Sequence, residues 1–527
     1  MRADIEQELA RFAAAGGIGT LARGVTLGLE RECLRVAPDG VIAFTPHPRA
    51  LGSALTHPWI TTDYSEALLE LVTPPSGTAR EVLDFLRDLH VFVYQRIRPE
   101  RLWAGSMPCI LAGEENIPIA EYGTSNRARM KHVYRVGLGH RYGRIMQVIA
   151  GIHFNFSFGD AVWETLMAAR GETGTLRSFR DDATMGLIRN LQRYGWLVLY
   201  LFGSSPAVCK TFLDGRPTRM PAFDEFTYFE PYATSLRMGN IGYQNRREEG
   251  VGVKACYDSL GAYILSLKHA IETPALLWED IGVVVDGEWR QLNANILQIE
   301  NEYYSTVRPK QILEDLEKPT LALKRRGVRY VELRSPDVNV FEPLGVDEEE
   351  LRFLEAFGFF CLLADSPKIR LQERWEIDRN LEKVAQRGRD PALRLLRDGK
   401  GLSLRQWADE VLEGMEPVCA ALEAARGGGH GAALAAQRAK VADPELTPSA
   451  RVLAEMRQNG ESFHQFAWRH AQRHLAHFAG LALAPAAEAR LVAEAEASLA
   501  RQAAVEAADD VDFSTFLERY FAQGRPS

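Results

Sequence analysis

The run 151-GIHFNFSF-158 alternates strictly between apolar and polar residues. Ile152, Phe154, Phe156 and Phe158 fall on one face of an extended chain, and His153, Asn155 and Ser157 on the other. A period of two over this length defines a half-buried β-strand. Its aromatic face demands a hydrophobic layer. Its polar face needs either solvent or a purpose.

Four other segments bear on that choice. In 28-GLERECLRV-36, Glu30 and Glu32 are two residues apart in a strand-like run, so both carboxylates point the same way, roughly 6–7 Å apart. Like charges that close resist joint ionisation unless a positive group lies between them. Leu29, Arg31 and Cys33 take the opposite face, where a cysteine packs as a small buried hydrophobe. In 328-VRYVELRSPD-337, Glu332 and Arg334 share a face. In 291-QLNANILQIENEYY-304, a strand would place Glu300, Glu302 and Tyr304 together. A further stretch, 59-WITTDYSEALLELVTPP-75, flanks Glu70 with Leu69, Leu71 and Val72. As a short helix it leaves Glu70 exposed; as a strand it puts a carboxylate inside a hydrophobic sheet, where a charge needs a partner. Glu30, Glu32, Asp63, Glu70 and Glu332, with His153 as a nitrogen ligand, form an oxygen-rich set suited to hard divalent cations such as Mg²⁺ or Mn²⁺.

Other features narrow the class. A net charge of -8 over 527 residues argues against a general nucleic-acid or membrane-surface binder. The N-terminus reads as an acidic amphipathic helix, not a signal peptide, and 195-GWLVLYLFG-203 is too short to span a bilayer. The cysteines at 33, 109, 209, 256, 361 and 419 form no CxxC pair, a pattern of reduced thiols in the cytosol. There is no G-x-x-x-x-G-K-[ST] loop; 250-GVGVKA-255 has the wrong spacing, and 16-GGIGTLARG-24 follows a helix rather than a strand. If ATP binds, metals must hold its phosphates. The basic run 127-RARMKHVYRVGLGHRYGR-144 reads as a helix and loop that meet anionic small molecules, and His464, His470, His474 and His477 as members of a packed helix. Thr78 with Glu81, and Asp347 with Glu350, open helices. Two regions are expected: a catalytic α+β region over 1–345 and a mainly helical, increasingly Ala-rich region over 346–527, packed on it.

The segments GLERECLRV, WITTDYSEALLELVTP, EYGTSNRARMKHVYRVGL, GIHFNFSF, YATSLRMGNIGYQN, LQIENEYYSTVRPK and GVRYVELRSPDVNVFEP resemble the proteobacterial class of glutamate–cysteine ligases. They run in that family's order. The resemblance implies an α+β fold whose curved antiparallel sheet forms a funnel-shaped active site, similar to that of glutamine synthetase and surrounded by helices. It implies ATP-dependent joining of the L-glutamate γ-carboxylate to the amine of L-cysteine through γ-glutamyl phosphate. By motif, Glu32, Asp63 and Glu70 would hold one metal and Glu30, His153 and Glu332 a second, with a third sharing Glu30 and Glu332 with the ATP phosphates. Arg334 would face the transferred phosphoryl group, and Glu70 and Glu332 join it as catalytic residues. Tyr134, Tyr243, Tyr304, Arg135 and Arg237 would line the amino-acid sites, with Asn155 and Gln147. Tyr64 stands where the family has phenylalanine, beside the cysteine pocket. The resemblance also implies a cytoplasmic monomer inhibited by glutathione. A less specific carboxylate–amine ligase and a metal-dependent phosphoesterase are the competing readings of the same acids.

Overall fold

Strand β1, Val25–Val36, organises the sheet. The computed structural model describes residues 1–108, 110–111, 113–242 and 254–524. Around β1 lie β2 (Ile60–Thr62), β3 (Leu68–Val72), β4 (Arg101–Leu102), β5 (Ile152–Phe158), β6 (Val307–Lys310) and β7 (Tyr330–Leu333). The spatial order is β6-β7-β5-β1-β3-β2, every neighbouring pair is antiparallel, and β4 pairs with the end of β1. The sheet is open, and helices surround it, so the expected α+β class and antiparallel arrangement hold. Glu70 lies on a strand, opposite Glu32.

Alternation gives the sheet two unlike faces. Leu29, Leu69, Leu71, Ile152, Phe154, Val331 and Leu333 form the apolar face and are buried. Helix Glu348–Leu363 covers it, with Gly358 against the ring of Phe156; a Cβ there would lie 2.8 Å from that ring. Helix Ala79–Arg96 packs beside it. That helix starts with the expected Thr78–Glu81 capping box, and Asp347 caps the later helix by accepting from Glu350 N–H at 2.7 Å. Helix Phe463–Ala479 packs on Ala79–Arg96, with Phe478 stacked on His90 and Tyr94. His470 and His474 are buried in that packing, as expected. From Glu348 onward the chain is helical apart from a hairpin, Arg394–Arg397 with Lys400–Ser403. One hydrophobic core joins residues from both halves of the chain. Among the described residues, no helix is long and apolar enough to cross a membrane.

One segment departs from its expected form. Glu300, Glu302 and Tyr304 do not share a strand face; Glu300–Glu302 is a 3-10 turn. Buried Arg141 donates to Glu302 Oε1 at 2.8 Å, and Thr320 Oγ1 donates to Glu300 Oε1 at 2.6 Å. Both carboxylates are drawn to partners on other segments, which a turn can reach and a pleated strand cannot.

The core face of β1 also carries polar groups. Arg35 is fully buried: Nη1 donates to Thr45 Oγ1 and Glu100, and Nη2 to the carbonyls of Thr45, Pro46 and Glu66. Arg31 donates to Pro343 O at 3.1 Å and touches His90. Cys33 is buried, its Sγ 3.8 Å from Arg31 O and 4.0 Å from His90 Nε2. Burial pushes the thiol's pKa up, and burial followed by Arg31 pushes His90 well down, so a neutral imidazole faces a neutral thiol. We expect Cys33→Ala to keep its activity, lose about 1 kcal/mol of stability, and differ from wild type in thiol labelling only after unfolding. Strong protection of Cys33 by substrates in the folded protein would overturn this placement. Arg35→Ala strands Glu100 and should destabilise the fold by about 3–5 kcal/mol, read as a lowered thermal transition. The double change Arg35→Met with Glu100→Leu should recover only part of that loss, because the carbonyls of Thr45, Pro46 and Glu66 still lose their donor.

Candidate active site

The polar face of the sheet gathers the acids by register. Arg308, Glu332, Asn155 and Gly28 lie side by side across β6, β7, β5 and β1. Glu30 sits opposite His153, Glu32 opposite Glu70, and Glu70 opposite Thr61. The group that lies between the paired glutamates is His153: its Nδ1 is 2.9 Å from Glu30 Oε2 and its Nε2 3.5 Å from Glu32 Oε1. Asn155 Nδ2 donates to Glu30 Oε1 at 2.9 Å, and Gly151 N–H to Glu32 Oε2 at 2.6 Å. Gly151 must lack a side chain, because a Cβ would lie 2.0 Å from the Arg237 guanidinium. Glu332 Oε1 is 3.3 Å from Lys310 Nζ and 3.5 Å from Arg334 Nη1, and Arg334 Nη1 is 3.4 Å from His153 Nδ1.

Electrostatics divide this face into two sides. On the β7 side, burial raises the Glu332 carboxyl, but Lys310, Arg334 and Arg308 together outweigh it and hold it far below the usual range. Glu30 is also lowered: burial and Glu332 push it up, and the His153 hydrogen bond and charge with Lys310 prevail. On the β3 side the acids crowd each other. Burial raises Glu32 despite His153, and burial followed by Glu30, Asp63 and Glu32 pushes Glu70 well above its ordinary value. The residues fit a cation. Ligand atoms of Glu30, His153 and Glu332 lie within 4.8 Å of one another, the only such trio among the described residues. Glu332 Oε2, His153 Nε2 and Asn155 Oδ1 are buried and make no hydrogen bond, and buried polar atoms of this kind call for a partner.

The acids floor a cavity of about 670 Å³. Glu30, Glu32, Asp63, Tyr64, Glu70, Tyr134, Arg135, Gln147, His153, Glu332 and Arg334 all reach it. Helix Asn126–Tyr142 forms one wall and presents Arg127, Lys131 and Arg135 at four-residue spacing. The first half of the basic run, from Arg127 to Leu138, therefore lines the cavity, while Arg141 is buried on Glu302 and Gln291. Arg135 donates to Asp63 O and Lys131 O, and Tyr122 O–H is within 2.9 and 3.0 Å of the carbonyls of Thr62 and Asp63. Burial, then Arg135 and Arg127, push the Lys131 amine down to about 8.

Other expected residues lie elsewhere. Asn155 is beneath Glu30. Tyr304 lines a small adjoining recess with Tyr134, Gln147 and Arg308. Arg237 is turned toward the chain itself: its Nη2 donates to Arg334 O at 2.8 Å and its Nη1 to Ser335 O at 3.2 Å, with Asp337 beside it. Tyr243 lies outside the described residues. Lys310, Arg308 and Lys131 reach the site without having been singled out in the sequence. Their signal was position: Arg308 and Lys310 alternate on β6, and Lys131 lies one helical turn from Arg135. Tyr520, near the far end of the chain, also reaches the cavity and gave no sequence signal.

An acid-floored, base-walled cavity on an antiparallel sheet has the charge pattern to hold cations and anionic groups together. The family model described as glutamate-cysteine ligase matches residues 14–384. A glutamate–cysteine ligase of Pseudomonas paraeruginosa is 50% identical over 519 residues, covering 98% of each chain. A crystal structure of glutamate–cysteine ligase from Francisella tularensis in complex with AMP superposes with a TM-score of 0.89 at 34% identity, covering 95% of this chain and 98% of that one. A bifunctional glutathione synthetase from Pasteurella multocida matches with a TM-score of 0.70 at 25% identity, covering 90% of this chain and 55% of that one. The chain belongs to the glutamate–cysteine ligase family.

Proposed function

We propose that the chain joins the γ-carboxylate of L-glutamate to the amine of L-cysteine, with cleavage of ATP to ADP and phosphate, yielding γ-glutamylcysteine. The observation that carries this reading is the Glu30–His153–Glu332 cluster with Arg334 on the same sheet face. A carboxylate becomes a useful electrophile only when one oxygen becomes a leaving group. Transfer of the terminal phosphoryl group of ATP to glutamate supplies it, as γ-glutamyl phosphate. The cysteine amine then attacks the acyl carbon, the C–O bond breaks, phosphate leaves, and the amine loses a proton. Glu32, Asp63 and Glu70 would hold one Mg²⁺ or Mn²⁺ and Glu30, His153 and Glu332 a second, with a third shared by Glu30, Glu332 and the ATP phosphates. When bound, such cations neutralise phosphate charge.

The chain's own groups do the positioning. Arg334, held by Glu332 and His153, offers a fixed guanidinium to the transferred group, where charge develops. Arg308 and Lys310 add cationic charge beside it. Arg135 fixes the backbone that carries Asp63, and Tyr134, Gln147 and Tyr64 border the space for the amino acids. Arg237 supports the Arg334 backbone, and Tyr304 closes the recess behind Tyr134. Glutathione, which contains the same γ-glutamylcysteine unit as the product, would compete for the same amino-acid space as a feedback inhibitor. The free cysteines, buried or half-buried among the described residues, suit a reducing cytosol.

ADP release measured with glutamate and cysteine should exceed that with other amines, stop on chelation, and return with Mg²⁺. AMP and pyrophosphate as products, or full turnover without divalent metal, would overturn the reading. Arg334→Lys should lower kcat on the order of a hundredfold or more, because a point charge replaces a planar fork at the developing phosphoryl charge. An unchanged kcat with only a raised KM for ATP would assign Arg334 to ground-state binding instead.

A further inference from the structure

Asp63 differs from Glu30, Glu32 and Glu332 in how it is held. Glu30 accepts from Asn155 and lies against His153, and Glu32 accepts from Gly151 N–H. Glu332 lies against Lys310 and Arg334. Among the described residues, the Asp63 carboxylate makes no hydrogen bond; its ion partner, Arg135 Nη2, is 3.9 Å away. An acid without a side-chain anchor points where its backbone sends it.

That backbone is pinned by Tyr122. The side chain is buried, and its single O–H is shared by the carbonyls of Thr62 and Asp63 at 2.9 and 3.0 Å. Burial pushes the phenol's pKa up, so the oxygen keeps its proton and remains a donor. The segment leading to Tyr122 is laced to the same loop. Ala120 N–H donates to Tyr64 O at 3.0 Å, Glu66 N–H to Pro118 O at 3.1 Å, and Ser65 Oγ to Pro118 O at 2.6 Å. His132 Nδ1, on helix Asn126–Tyr142, is 2.9 Å from Ala120 O.

The ring of Tyr122 meets the cationic wall. Lys131 Nζ and the Arg135 guanidinium carbon each lie 4.8 Å from its centroid. The negative face of an aromatic ring attracts a cation at this range. It offsets the repulsion between two positive groups one helical turn apart. Lys131 and Arg135 therefore take their placement from the ring, and Asp63 takes its own from the hydroxyl of the same side chain.

We propose that Tyr122 is a positioning residue that sets the spacing between the acidic floor and the cationic wall: its hydroxyl aims Asp63 toward a divalent cation, and its ring holds Lys131 and Arg135 for the anionic substrates. This rests on the reading of Asp63 as a cation ligand of the proposed ligase. Tyr122 itself lies behind the cavity lining, so it acts through the groups it holds.

The test compares Tyr122→Phe, Tyr122→Leu and Asp63→Asn in the full-length protein. Mn²⁺ binding is read without substrates, by counting free Mn²⁺ with electron paramagnetic resonance. Tyr122→Phe keeps the ring and loses the O–H. It should weaken, on the order of tenfold, the same class of Mn²⁺ site that Asp63→Asn weakens, the scale of removing a group that orients a ligand. Its KM for ATP and for glutamate at saturating Mg²⁺ should stay within about twofold of wild type. Tyr122→Leu loses ring and hydroxyl together. It should weaken Mn²⁺ binding equally and also raise KM for an anionic substrate, ATP or glutamate, a few-fold, an effect that added metal does not reverse. If Tyr122→Leu does not fold, Tyr122→Phe decides alone. Wild-type Mn²⁺ affinity in Tyr122→Phe, with or without a lowered thermal transition, would make Tyr122 a purely structural residue and overturn the proposal. So would a rise in KM for the anionic substrates in Tyr122→Phe as large as that in Tyr122→Leu. Unchanged Mn²⁺ affinity in Asp63→Asn would instead overturn the reading of Asp63 as a cation ligand, and the proposal with it.

Discussion

Buried negative charge is the constraint to which the rest of this structure answers. Glu30, Glu32, Glu70 and Glu332 lie on one side of a sheet whose other side is hydrocarbon, and an uncompensated buried carboxylate costs several kcal/mol. Two arrangements meet that cost. On the β7 side, Lys310, Arg308 and Arg334 surround Glu332, and His153 bridges Glu30 toward Glu32. On the β3 side, Glu32, Glu70 and Asp63 stay mutually repelling. The asymmetry leaves unbalanced acid on the β3 side that a cation would offset, next to the β7-side trio of Glu30, His153 and Glu332, whose ligand atoms converge.

The reverse side of β1 shows what holds those acids in place. Arg35 ties β1 to the carbonyl of Glu66, in the loop that carries Asp63 and Tyr64. Arg31 ties it to Pro343, close behind β7. The same strand therefore sets both the acids and the segments on either side of them. Arg237 does similar work from below, gripping the carbonyls of Arg334 and Ser335. Its guanidinium is engaged with backbone before any substrate arrives, which makes it a support for Arg334.

Much of this was legible in the sequence where the signal is local. The alternation at 152–158 fixed both faces of β5, and the even spacing of Glu30 and Glu32 correctly put Cys33 in the core. Glu70 was ambiguous because five residues cannot distinguish a strand from a helical turn; pairing with β1 decides it. The reading of Glu300, Glu302 and Tyr304 failed because Arg141, some 160 positions away, claims Glu302. No local pattern encodes such a partner. Lys310 was obscured by the shortness of Val307–Lys310, which also contains a proline. Tyr520 was invisible for a different reason: an amphipathic terminal helix looks alike whether its apolar stripe covers a core or a cavity.

Strand β1 carries cavity-facing acids at positions 30 and 32 and structural arginines at 31 and 35, interleaved on opposite faces. A substitution in this strand changes one side chain, but inserting or deleting a single residue would exchange the two faces at once. Acids would be driven into hydrocarbon and arginines into the cavity. The strand should therefore tolerate almost no change in length over its twelve residues. The connection from Val72 to Ile152 is itself tied to β1, by Ser76, which exchanges backbone hydrogen bonds with Leu27, and by the short strand Arg101–Leu102. Variation in length among descendants of this chain should fall outside β1, a record of insertions and deletions shaped by the period-two geometry of one strand.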